Sequence, residues 1–359
     1  MRKGIIILLS VLLGITLAAI PFLCSHCSIL PEKATQYYEE KARREAQADD
    51  SPEAQLMRML LGGAAEETKE PEPSHPAFST YGLSLAFAAA LGCAAPFVVR
   101  TQKKGNRVAV FPLFAAVALA APLGLFGARF VYCAAKAGFY LKDIENPAAM
   151  LRVWEGGLSL SGALAFTSLG GVLAAKLCKA SVRHVLDAMT PGLITLAGVA
   201  RLGERLIGAG YGPEADVLTV LIQGSFRLDT ALVMMFAMLI LLALRLDFAR
   251  SAFLYGGLMI LLESLRRDGH MQWGFVHAEQ IFALCMALPA LLYFAAKNKK
   301  VWLALLATAA LVGIVVGLEF ALDRSPISDW LLYGIFAAVI AAYLWLGLYW
   351  AGKAHQQKE

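Results

Sequence analysis

Arg201, Glu204 and Arg205 stand at the end of an apolar run, Leu196-Ala197-Gly198-Val199-Ala200, where ionisable groups are rare and mark sites or paired charges. Spacings of three and four put the three on one helix face. A guanidinium presents a planar fork that holds a phosphate bidentately. A neighbouring carboxylate either neutralises that cation or serves as a base toward a bound thiol or phosphate. Further arginines, Arg129, Arg152, Arg266 and Arg267, fall near the same ends of other apolar runs. Their convergence would suit a phospholipid headgroup, whereas separately they would snorkel to water. Glu155 precedes Gly156-Gly157, where it caps a turn or holds an arginine. His270 and His277 flank Trp273 and Phe275, a pattern of the bilayer interface.

These residues must be positioned by membrane helices. The chain is 58% hydrophobic and 16% charged, with a mean hydropathy of +0.61, well below the roughly 25% charge of a soluble domain. Apolar runs near 4–23, 78–99, 108–132, 158–177, 188–207, 229–246, 252–265, 279–296, 301–321 and 329–350 are each read as a crossing. The expected fold is therefore an all-α polytopic membrane bundle of about ten helices. The basic clusters at Arg2-Lys3, Arg100 to Arg107, Lys176 to Arg183, Arg245 with Arg250, Lys297 to Lys300, and Lys353 with Lys358 all fall on one side under strict alternation. The positive-inside rule then places both termini in the cytoplasm of a multi-pass protein. The formal charge of +5 reflects that orientation, and no nucleic-acid partner is implied.

Four regions are expected: an N-terminal transmembrane anchor, 1–23; an extracytoplasmic charged excursion and linker, 24–77; a seven-helix membrane core, 78–296; and a transmembrane hairpin with a cytoplasmic tail, 297–359. The excursion reads as a solvated spacer or as a lid over an outer-face site. The last two spans read as plain hydrophobic helices without internal charge, and the chain outside the excursion as nearly all helix. Cys24 and Cys27 form a CxxC without the second pair a zinc cluster needs. Leu23 before Cys24 favours an uncleaved anchor over a signal peptide. No metal or organic cofactor is expected.

An ordered set of motifs resembles the prolipoprotein diacylglyceryl transferases: Thr80-Tyr81-Gly82, Gly127-Ala128-Arg129, Arg152-Val153-Trp154-Glu155-Gly156-Gly157-Leu158-Ser159, Asp187 to Pro191, Arg201-Leu202-Gly203, Glu263 to Arg266, and Gln280. The resemblance implies a bacterial cytoplasmic-membrane enzyme whose seven spans form a cavity open sideways to the bilayer. There phosphatidylglycerol meets the lipobox cysteine in the signal-peptide region of a prolipoprotein. The thiol attacks the glyceryl carbon and glycerol phosphate leaves. By this analogy Arg201 binds the phosphate, and Tyr81, Arg129 and Glu155 line the cavity. Arg266, Glu204 and Arg205 are expected to stand in for family groups this chain lacks, so that Arg201, Glu204 and Arg266 form the expected catalytic set and Tyr81, Arg129, Glu155, Gly156, Gly157, Ser161 and Arg205 the expected substrate-binding one.

The chain departs from the family at several points. Ser161 stands where the family has a histidine. Gly203-Glu204-Arg205-Leu206-Ile207-Gly208-Ala209 lacks the family's two asparagines and its glutamate, and Met259 replaces the arginine four residues before Glu263. A second reading is therefore a non-catalytic lipid- or lipoprotein-binding paralogue. A solute transporter gains no support, because no internal repeat is found.

Overall fold

The computed structural model describes residues 2–23, 80–102, 109–138, 140, 150–151, 153, 157–222, 225–268, 271–273 and 276–356. The excursion 24–77 with its two cysteines, Arg152, Trp154-Glu155-Gly156 and His270 lie outside the described residues. Among the described residues ten α-helices carry the fold: α1 (Arg2–Leu23), α2 (Thr80–Gln102), α3 (Val110–Ala135), α4 (Leu160–Leu177), α5 (Val182–Glu204), α6 (Thr230–Ala243), α7 (Phe248–Ser264), α8 (Ala278–Lys297), α9 (Val301–Arg324) and α10 (Asp329–Gln356). All but α6 and α7 are long and apolar enough to cross a membrane. The architecture is the expected polytopic helical bundle. Trp302, Leu306 and Phe320 on α9 and Leu331 and Trp345 on α10 are more than half exposed, an apolar surface that only lipid can cover without cost.

Small residues let the helices approach closely, as packing inside a bilayer requires. Where α2 crosses α5, a Cβ added to Gly192 would lie 2.3 Å from the Gly92 carbonyl oxygen. Where α3 crosses α4, one added to Gly162 would lie 2.5 Å from the Gly127 oxygen. A second core of large side chains, Phe253, Met259, Leu291, Phe294, Phe336 and Tyr343, joins α7 and α8 to α10.

Short turns on one side of the bundle connect α4 to α5, α6 to α7 and α8 to α9. Each contains one basic residue in the left-handed region: Lys179 (φ 52), Arg245 (φ 49) and Lys299 (φ 55). Such a residue closes a helix C-terminus, and its positive charge faces the negative end of the helix dipole. Asp247 then caps α7 by accepting from Arg250 N at 2.9 Å.

The structure corrects the sequence reading in three places. Helix α5 runs from Val182 to Glu204 and then tightens into a 3₁₀ turn, Arg205–Ile207, closed by Gly208 at φ 70. The chain between α5 and α6 is an antiparallel sheet of β1 (Tyr211–Glu214), β2 (Thr219–Ile222) and β3 (Ser225–Asp229) in the order β1-β3-β2. A smaller ladder, β4 (Gln272–Trp273) with β5 (Val276–His277), precedes α8. Finally, the ninth span does carry a charge. Glu319 on α9 is buried and accepts from Gln280 Nε2 on α8. Tyr333 of α10 donates to Ser264 O at 3.2 Å and accepts from Arg267 at 3.1 Å, so polar contacts as well as apolar ones dock the last two helices.

Candidate functional site

The last turn of α5 places Arg201 and Glu204 on one face, with Arg201 Nη1 2.9 Å from Glu204 Oε1. The end of α7 brings Glu263 and Arg266 alongside. Arg201 Nη2 pairs with Glu263 Oε1. Arg266 Nη1 lies 3.0 Å from Glu204 Oε2 and 3.7 Å from Glu263 Oε2. Two guanidiniums and two carboxylates thus alternate in a closed ring without net charge, and all four side chains are buried. Asp268 extends it, 2.5 Å from Arg266 Nη2, and accepts from Gly210 N at 2.9 Å, which ties the approach to β1 to the ring. Burial opposes the charge of Arg266, but Asp268, Glu204 and Glu263 outweigh it and hold the group well above the ordinary arginine value.

An apolar cavity with about 1090 Å³ of empty space, its open mouth included, runs between α1 to α5 and ends against this ring. Arg201, Glu204, Ser159 and Tyr81 line one end; Cys93, Pro96, Met189 and Gly192 line the other. From Tyr81 to Pro96 the cavity follows α2 for roughly 22 Å, more than the hydrocarbon depth of one leaflet, about 15 Å. Arg201 is 2% exposed, and its Nε has no hydrogen-bond partner among the described residues. Arg201 lines the polar end of the cavity, and a buried donor with an unmet hydrogen bond is costly.

At the same end, Ser159 caps α4 by accepting from Gly162 N at 3.1 Å and donates to Glu279 Oε1 of α8 at 2.8 Å. Ser161 donates to the other oxygen, Glu279 Oε2. Arg129 serves a different purpose. Its Nε donates to Met150 O at 2.8 Å and its Nη1 to Gly157 O at 3.3 Å, and its guanidinium lies 5.4 Å from the Tyr140 ring centroid. With Ser159 N bonded to Ala128 O at 2.9 Å, these contacts pin the chain entering α4 against α3. Gly157 has φ 74, and a Cβ there would meet the Tyr132 ring at 2.3 Å.

The expected site residues therefore divide. Arg201, Glu204 and Arg266 meet in one ring; Tyr81 lines the cavity; Ser161 reaches it only through Glu279. Arg129 and Gly157 shape the neighbouring loop. Arg205 lies beyond the end of α5, half-exposed, and pairs with Asp229 at 3.0 Å instead of joining Arg201. Glu155 and Gly156 are outside the described residues. Met259 sits in the core, one turn before Glu263 of the ring, and the second guanidinium comes from Arg266. Glu279 has no expectation attached to it, because an acidic residue in the first turn of a helix is ordinary on dipole grounds.

His277, just before α8, is buried in the turn between α7 and α8. Burial, helped by Arg266, pushes it down to about 4. Its folded value lies below its unfolded value, so the unfolded chain takes up the proton first and stability falls as pH drops from about 6.5 toward 4. Thermal unfolding in detergent is expected to show a loss of about 2 kcal/mol between pH 7 and 5. His277→Asn should remove that slope; an unchanged slope would assign the acid sensitivity to other groups.

A sequence model of the prolipoprotein diacylglyceryl transferases matches residues 75–296, which hold the cavity and the ring. Among curated relatives, the phosphatidylglycerol–prolipoprotein diacylglyceryl transferase of Mycobacterium bovis is 33% identical over 99 residues, 27% of this chain and 21% of that protein. The enzyme of that name from Frankia alni is 33% identical over 111 residues, 31% and 29% of the two chains. The one from Streptomyces griseus is 30% identical over 98 residues, 27% and 30%. The matched segments thus span less than a third of these relatives. Because the family model covers more than half of the sequence, the chain belongs to the prolipoprotein diacylglyceryl transferase family.

Proposed function

We propose that this membrane protein transfers a diacylglyceryl group from phosphatidylglycerol to the thiol of a lipobox cysteine, releasing glycerol phosphate. The observation that carries the reading is the Arg201 guanidinium at the polar end of a leaflet-length apolar cavity, its Nε without a hydrogen-bond partner among the described residues. The acyl chains lie along α2 and α5, the phosphate meets the Arg201 guanidinium at the cavity's polar end, and the buried site makes that charge-assisted contact strong. Arg266, Glu204 and Glu263 hold the Arg201 fork in place. The basic turns at one end of the bundle and the ring at the other support cytoplasmic termini with the site on the outer side of a bacterial cytoplasmic membrane.

One feature favours the alternative, a lipid-binding paralogue without turnover: Glu204 and Glu263 already occupy the Arg201 fork where a phosphate would bind bidentately. Purified protein with phosphatidylglycerol and a lipobox peptide, followed by glycerol phosphate release and peptide mass, separates the two. Product supports the transferase; saturable lipid binding without product supports the paralogue. Ala89→Trp, which fills the cavity wall without touching the ring, is expected to weaken lipid binding about 10- to 100-fold, the equivalent of the 1–3 kcal/mol of overpacking. Unchanged binding would remove the cavity from the reading.

A further inference from the structure

Glu279 differs from the other carboxylates around the ring. Glu204, Glu263 and Asp268 each pair with a guanidinium, whereas the hydrogen bonds of Glu279 come from the hydroxyls of Ser159 and Ser161. It is 2% exposed and lies behind Ser159, which is on the cavity wall while Glu279 is not. A serine hydroxyl has one proton and two lone pairs. The Ser159 proton goes to Glu279, and one lone pair accepts from Gly162 N. The second lone pair takes no hydrogen bond among the described residues, and Ser159, itself fully buried, lines the cavity together with Arg201.

We propose that Ser159 and Glu279 form a proton relay serving the acceptor thiol. This inference rests on the transferase reading above. Ser159 is the residue that touches substrate, and Glu279 is a positioning residue that acts through it. The thiol gives its proton to Ser159 Oγ as Ser159 passes its own to Glu279 Oε1. The sulfur lone pair forms the S–C bond to the terminal glyceryl carbon. The C–O bond to phosphate breaks, and its electron pair leaves on the phosphate oxygen beside Arg201. The proton on Glu279 returns through Ser159 to the departing phosphate monoester, so the thiol proton leaves with glycerol phosphate. Buried, charge-free serine contacts leave Glu279 available as an acceptor, which the ring carboxylates, held by cations, are not.

The charged and titratable groups facing Glu279 set the conditions of a pH test. They are Arg201 from α5, and Tyr255 and Glu263 from α7. The full chain in detergent is assayed with phosphatidylglycerol and a lipobox peptide, with lipid binding measured separately. Glu279→Gln is expected to lower kcat about 100- to 10,000-fold, to keep lipid affinity within about twofold, and to lose the acid limb of the kcat–pH profile. Glu279→Asp should recover part of the rate and restore the limb. If Glu279→Gln does not fold, Ser159→Ala and Ser161→Ala decide the matter. Both remove a hydroxyl from Glu279, but the relay requires the loss at Ser159 to exceed that at Ser161 by at least tenfold. Equal losses, or a Glu279→Gln kcat within threefold of wild type with its acid limb intact, would overturn the relay and leave the transferase reading standing. A wild-type protein that binds lipid and makes no product would overturn both, and that arm of the assay is scored before any variant.

Discussion

Arg201→Ala is expected to reduce phosphatidylglycerol-dependent turnover about 100- to 1,000-fold, the scale for removing a preorganised donor from a developing phosphate charge. It should also destabilise the protein, because Glu204 and Glu263 remain buried and lose the cation that both contact. Stranding a buried partner costs about 3–5 kcal/mol. Arg201→Lys is informative beside it: an ammonium keeps the charge but cannot contact two carboxylates and a ligand in one plane. It should restore most of the stability and little of the turnover. If Arg201→Ala retains turnover, the phosphate does not bind at this end of the cavity.

Arg266→Ala should produce the second large effect and divide differently. Arg266 is fully buried and contacts Glu204, Glu263 and Asp268, but it does not line the cavity. Its removal leaves Arg201 as the cation Glu204 and Glu263 share and takes the Arg266 guanidinium from Asp268. A loss of about 3–5 kcal/mol, or roughly 10 °C in Tm, is expected. Lipid affinity at a temperature where the variant is folded should change less than in Arg201→Ala. A variant with wild-type Tm would mean that the ring does not hold α5 to α7. A double variant, Arg266→Leu with Asp268→Asn, tests the same point by removing cation and anion together; it should recover part of the lost stability.

The helices were legible because each is a long apolar run, and hydropathy in a bilayer is close to a direct readout of burial in lipid. Half of the ring was legible in the same way, since Arg201 and Glu204, like Glu263 and Arg266, are three residues apart in sequence. The pairing of Arg201 with Glu263 was not, because 62 positions separate them and only tertiary packing joins α5 to α7. Arg205 was misplaced because its spacing fits a helix that in fact ends at Glu204. The sheet escaped notice because Thr219-Val220-Leu221-Ile222 is a short apolar run that periodicity cannot distinguish from the edge of a helix. Glu319 shows the converse difficulty: one charge in an apolar span is a weak sequence signal and a large structural one, since burial obliges it to find Gln280.

The left-handed turns at Lys179, Arg245 and Lys299 bear on how the protein is made. Glycine would adopt those angles more comfortably, by about 1 kcal/mol each, so the three cations sit at a backbone cost that their contact with the helix dipoles offsets only in part. Topology is decided while the chain is threading into the membrane, and there a positive charge between two spans is worth more than a relaxed backbone. Replacing all three with glycine should yield molecules that resist heat better but enter the bilayer in mixed orientations. For this chain, insertion and endurance would then be separate selective pressures acting on the same three residues.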